Sequence, residues 1–153
     1  MDYFSKRFSL RYVYLPILLF TGTTKLISAA TQVPALALSD PLFGISTAVL
    51  LIGIGVLELG VVGCLCLPVP HVWKHGMVFW LAFQFLLYRL VKASLGVAAP
   101  CPCLGNIADW LGLSLRQADL LLKNTAILLL LTSGLCLWAT IFRNRQTALT
   151  ISD

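Results

Sequence analysis

The sequence predicts an all-α fold, one domain over residues 1–153 built as a polytopic membrane bundle of four helices. Apolar residues make up 59% of the chain and charged residues only 11%, far from the roughly 45–50% and about 25% typical of soluble domains. The apolar residues gather into four runs, each near the roughly 20 residues that a helix needs to cross a bilayer. Helices close their backbone hydrogen bonds internally, which is what hydrocarbon demands. The eleven Lys and Arg outnumber the six Asp and Glu, yet most stand at the ends of the runs rather than in a stripe interleaved with aromatics. That pattern argues against a nucleic-acid surface and for residues that set topology.

The first run spans about 12–30 and follows Lys6, Arg7 and Arg11. Basic residues, an apolar run and Ser28-Ala29-Ala30 are also the parts of a cleavable signal, but Lys25 interrupts the region before that site, so this run is expected to persist as a helix. The second run, 43–67, is expected to start at Asp40 as N-cap, with Pro41 next because its missing amide is no loss there. The third run, 76–97, follows Lys74. The fourth, 120–142, opens with Ser114-Leu115-Arg116-Gln117, a capping-box spacing, and is followed by Arg143, Arg145 and a polar, loose tail over 144–153. Basic residues gather at cytoplasmic ends, so both termini are expected inside. The connections 31–42 and 98–118, with Arg116 alone as a basic residue, are expected outside.

The second outer connection carries Pro100-Cys101-Pro102-Cys103-Leu104-Gly105. Outside the cytoplasm disulfides persist. A bond between residues two apart closes a very small ring, whereas disulfide geometry asks for Cα atoms about 4.4–6.8 Å apart and a near-perpendicular torsion. Such a bond is strained, and strain marks labile or catalytic disulfides. As a structural staple it removes little unfolded-state entropy, because its loop is so short. The prolines stiffen the segment and Gly105 lets the chain turn away. Cys101 and Cys103 are therefore the candidate catalytic pair, with metal binding and a merely structural role as the competing readings. A metal needs further ligands, and His71 and His75 fall at the opposite end, so no metal site is expected.

Among the charges within the runs, Lys25, Glu58 and Arg89 are the candidates for function. Each costs at least about 2.5–3.5 kcal/mol at a helix centre on insertion scales, so pairing is expected, with Glu58 and Arg89 as the favoured pair. Gln84, Tyr88 and Lys92 share neighbouring turns with Arg89. Cys64 and Cys66, a second Cys-x-Cys near the inner end of the second run, are secondary candidates: packing residues, or a cytoplasmic electron relay that needs a carrier to span about 30 Å of hydrocarbon. Cys136 is expected as apolar filling. Gly53, Gly55, Gly60 and Gly63 offer close helix approach.

Four helices, Leu57-Glu58-Leu59, and Tyr88-Arg89 followed by Cys101-Pro102-Cys103-Leu104-Gly105 together resemble the DoxX-like superfamily, especially its MauE-type branch. The resemblance covers most of the chain and is most specific at the cysteine segment. It implies a redox-associated protein of the bacterial inner membrane, in a branch linked to maturation of a disulfide-rich periplasmic methylamine dehydrogenase subunit. The expected function is thiol–disulfide exchange between Cys101/Cys103 and an exported partner protein, with a membrane quinone as candidate electron acceptor although no motif marks its site. Two other readings stand beside it: a non-enzymatic subunit that anchors or assembles a larger membrane complex, and a soft-metal handling protein.

Overall fold

A computed structural model of the chain describes residues 11–31, 38–96, 112 and 114–151. It contains α1 (Arg11–Ala30), α2 (Thr47–Cys66), α3 (His71–Ser94) and α4 (Leu115–Ile151), all four long and apolar enough to cross a membrane. The Cys101–Cys103 segment lies outside the described residues.

The helix ends differ from expectation in three places, each for a local reason. Asp40 does not cap α2. Its Oδ1 accepts from the Leu42 amide at 2.9 Å, and Asp-Pro serves equally well to open a turn. Gly44, at a positive φ of 65°, then donates to the Asp40 carbonyl, and an antiparallel bridge joins Ser39 to Ser46. The helix begins only after this knot, with Ser46 as the actual N-cap accepting from Val49. α3 starts at His71, directly after Pro68-Val69-Pro70, so Lys74 and His75 belong to its first turns. Lys74 is buried, and its ammonium donates to the carbonyls of Leu65 in the last turn of α2 and of Leu67 just beyond it, where a helix end leaves carbonyls without intrahelical partners. α4 continues to Ile151, where a loose tail was expected. Its start is as expected: Ser114 and Gln117 exchange side-chain and backbone hydrogen bonds in a capping box.

The helices alternate in direction. Lys25 meets Glu58, Lys74 reaches the end of α2, and Arg89 meets Asp119. α1 and α2 pack closely, as do α3 and α4, while α2 and α3 touch more sparsely. Toward the end where α1 begins, all four helices join in one core of Tyr14, Leu18, Val61, Val62, Leu65, Val78, Leu81, Ala82 and Leu129. Toward the Asp40 end a smaller cluster around Leu51, with Ala29, Ala48, Phe85 and Leu122 against it, again draws on all four helices.

The close approach of α1 and α2 is at Gly22 and Gly55. A Cβ on Gly55 would meet the Gly22 carbonyl at 3.1 Å, and one on Gly22 would meet Leu59 at the same distance. Of the four glycines expected at contacts, Gly53, Gly60 and Gly63 face open space; the contact is carried by Gly55 with Gly22 instead.

Candidate functional site

The Gly22–Gly55 contact has a direct consequence one turn further along each helix. Lys25 and Glu58 each stand three residues after their glycine, on the same helix face. Side chains lean toward their helix N-terminus, so on antiparallel α1 and α2 these two lean toward each other. Lys25 Nζ lies 2.6 Å from Glu58 Oε1, with the residues 2% and 4% exposed. Lys25 also donates to the Thr21 carbonyl. Glu58 therefore pairs with Lys25 and not with Arg89. Depth along the helices allowed either partner; the close α1–α2 packing and the gap between α2 and α3 decide it.

Arg89 turns instead toward α4. Its guanidinium donates to the Asp119 carboxylate at 2.6 Å and to the Asp119 carbonyl at 3.2 Å. Arg89 lies five residues before the end of α3 and Asp119 five positions into α4, so the two reach the same depth. Phe85 stands between the two ion pairs, with Lys25 Nζ 6.0 Å and the Arg89 guanidinium 5.0 Å from its ring centre, within the range where a cation is drawn to an aromatic face.

Above these pairs, the knot before α2 folds onto α3. The Tyr88 hydroxyl donates to Asp40 Oδ2, Lys92 Nζ lies 3.8 Å from the same oxygen, and Phe43 stacks on Tyr88. Lys92 thus turns to Asp40 while its ammonium also lies over the Tyr88 ring. Asp40 is buried. Burial pushes its carboxyl upward, but the Tyr88 hydroxyl, the Leu42 and Phe43 amides and the Lys92 charge outweigh that and hold it below the usual carboxylate range.

Between α2 and α3, under this lid, is an open-sided cavity of about 430 Å³. Its walls are Leu42 and Phe43 from the knot, Leu50, Ile54, Leu57 and Glu58 from α2, and Trp80, Leu81, Gln84, Phe85, Leu87, Tyr88 and Val91 from α3. Almost all of that lining is apolar or aromatic. Glu58 Oε2 is buried and has no hydrogen-bond partner among the described residues.

At the other end of the bundle, Cys66 is exposed and Cys64 half-buried at the end of α2, and Cys136 is half-buried in α4. His75 is buried with its ring edge-on to Tyr14, 6.1 Å away, so it belongs to the interior rather than to an interfacial pair with His71. Among the described residues no three His, Cys, Asp or Glu are grouped as metal ligands.

A family model for methylamine utilisation protein MauE matches residues 4–139. The chain belongs to the MauE family. No curated protein and no solved structure matches it. The MauE match covers Lys25–Glu58, the cavity residues, Arg89–Asp119 and the sequence that carries Cys101 and Cys103.

In this MauE-family chain, sequence reasoning missed Asp119 and Gly22. Both left a trace. Asp119 sits in the first turns of α4, where an acidic side chain suits the helix dipole, at the depth that counting from Arg89 specifies. Gly22 repeats before Lys25 the three-residue offset that Gly55 has before Glu58.

Proposed function

We propose that this chain is a membrane thiol–disulfide redox protein in which Cys101 and Cys103 alternate between dithiol and disulfide in exchange with an exported partner protein. The observation that carries this reading is the place of the cysteines. They lie in the one connection that leaves α3 after Ser94 and re-enters α4 at Leu115, and those two helices are tied together near that connection by Arg89 and Asp119. The Arg89–Asp119 pair gives such a connection a fixed base. The membership in a family described as methylamine utilisation proteins agrees with a role in producing that system's exported components, and the wider DoxX-like resemblance agrees with redox chemistry.

In the exchange, a thiolate of the reduced member attacks a disulfide sulfur of the oxidised one. One sulfur–sulfur bond breaks as the mixed disulfide forms, and the second thiol of the attacking pair then displaces it, so that one dithiol and one disulfide have traded places. The bundle's part is to hold the pair at the membrane surface. Lys6, Arg7, Arg11, Arg143 and Arg145 at the terminal end favour a cytoplasmic position for that end, which supports reading the cysteine connection as facing the extracytoplasmic side of a bacterial inner membrane.

The test is trapping. Replacing one cysteine, Cys101→Ser or Cys103→Ser, blocks resolution, so one of the two single variants accumulates a mixed disulfide with an exported protein that the double variant does not. Full exchange activity in the Cys101→Ser/Cys103→Ser protein would falsify the reading.

A further inference from the structure

The cavity between α2 and α3 is not needed for thiol exchange, yet it combines features that packing alone disfavours. Its volume of about 430 Å³ lies within the roughly 300–1,000 Å³ of small-molecule sites. It opens between two helices that both have the length and hydropathy of membrane spans, so what enters it comes from the bilayer. The lining is mostly apolar, which disfavours a highly charged or sugar-like ligand. Four aromatic side chains, Phe43, Trp80, Phe85 and Tyr88, contribute to it, and flat rings of this kind stack well on a flat ligand. Glu58 contributes to its wall, and the Glu58 Oε2 atom is buried with no hydrogen-bond partner among the described residues. An unpaired buried acceptor on a charged group is costly, and a ligand hydroxyl is the group that satisfies it. Gln84, also in the wall, supplies both a donor and an acceptor.

We infer that this cavity is a binding site for an isoprenoid quinone and its quinol, with the ring between α2 and α3, a ring hydroxyl of the quinol donating to Glu58 Oε2, and the tail leaving through the open side into lipid. A fatty acyl chain shares the apolar tail but offers neither a flat ring nor a hydroxyl donor to the carboxylate. The inference deepens the thiol–disulfide reading by naming the acceptor of its electrons. Oxidation of the Cys101/Cys103 dithiol breaks two S–H bonds and forms one S–S bond; the two electrons and two protons released convert one quinone to one quinol, with two O–H bonds formed. The disulfide so regenerated is then ready to oxidise the next exported dithiol.

Binding is measured apart from exchange so that the two readings fail separately. Trp80 lies in the cavity wall. In full-length protein in phosphatidylcholine nanodiscs, with Trp73, Trp110 and Trp138 replaced by Phe, decylubiquinone is expected to quench Trp80 fluorescence saturably. The same curve is expected in the Cys101→Ser/Cys103→Ser protein, because the proposed contacts to the ring come from α2 and α3. Leu50→Phe with Ile54→Phe enlarges two apolar side chains of that wall without touching the Lys25–Glu58 pair, and is expected to weaken binding tenfold or more. Decylbenzene, which has ring and tail but no oxygen, is expected to compete at least tenfold less well than decylubiquinol. Unsaturable quenching, equal binding in the Leu50→Phe/Ile54→Phe protein, or equal competition by decylbenzene each overturns the quinone site. A failure of mixed-disulfide trapping alongside intact, oxygen-dependent binding removes the thiol reading and leaves the site standing.

Discussion

Glu58 illustrates how a buried charge finds its partner. Its position in the middle of an apolar run announced that it needs a counter-charge, and both Lys25 and Arg89 were within reach by depth. What separates them is backbone proximity, which depends on two residues without side chains, Gly22 and Gly55. That contact involves two different helices, so no single run of sequence displays it. The pair makes a sharp prediction. Glu58→Leu leaves the Lys25 ammonium buried without its counter-charge, and loss of one partner of such a pair costs about 3–5 kcal/mol. Adding Lys25→Met removes the stranded charge and is expected to recover most of that loss, as read by reversible unfolding in mixed micelles. If the double variant is no more stable than Glu58→Leu alone, the ammonium was not the source of the cost. Asp40 gives a second prediction. Its carboxyl is held below the ordinary value of about 3.9 by Tyr88, the local amides and Lys92, which together exceed the opposing effect of burial. A depressed folded-state value adds stability that is present above the unfolded value and is lost as pH falls through the folded one. Melting temperature is therefore expected to drop below about pH 4 in the wild type. Asp40→Asn is expected to start lower at neutral pH and to lack Asp40's part of that acid-side drop.

Helices as units were legible in number and order because hydrocarbon leaves few alternatives to a long apolar run. Their ends were less so, since the same residues serve two kinds of local structure. Asp40-Pro41 opens a helix or a turn, and only the positive φ of Gly44 and the bridge from Ser39 to Ser46 reveal the second. Lys74 looks like a loop residue that faces water until α3 is seen to begin before it and its ammonium to close the end of α2. The Ser114–Gln117 box was readable because both of its partners lie within one turn. Pairing between elements rests most heavily on α1 against α2. A side chain at Gly55 runs into the Gly22 carbonyl and Leu26, and the carbonyl belongs to backbone that cannot rotate aside. Gly55→Leu is thus expected to separate α1 from α2 and to destabilise the fold by about 1–3 kcal/mol, the usual range for overpacking, with loss of any cysteine crosslink engineered between Gly22 and Leu59. Gly53→Leu, where a Cβ meets nothing within 4 Å, serves as the control and is expected to leave both measurements near wild type.

At the scale of the whole molecule, two Cys-x-Cys pairs are separated by one helix. Cys64 and Cys66 close α2, and Cys101 and Cys103 follow the far end of α3. α3 has 24 residues, which at 1.5 Å each is about 36 Å, enough to carry the chain across a hydrocarbon core of about 30 Å. Thiol exchange requires one sulfur to touch another, so the two pairs cannot trade a disulfide directly within one chain. A relay of electrons between them therefore needs a mobile carrier, and the cavity between α2 and α3 lies toward the Ser94 end of α3 rather than toward Cys64 and Cys66, because its walls run from Glu58 and Trp80 to Phe43 and Val91. Under the proposed thiol–disulfide reading, electrons leaving Cys101 and Cys103 would enter the bilayer through that cavity without involving the second pair. Sidedness checks this. A membrane-impermeant maleimide applied to reduced spheroplasts is expected to label Cys101 and Cys103 but not the exposed Cys66, and inside-out vesicles are expected to reverse the pattern. Replacement of Cys64 and Cys66 by serine is expected to leave oxidation of Cys101 and Cys103 unchanged. Labelling of both pairs from one face would mean that α3 does not cross the membrane, and dependence of the outer pair on Cys64 or Cys66 would mean that the electrons cross the bilayer after all.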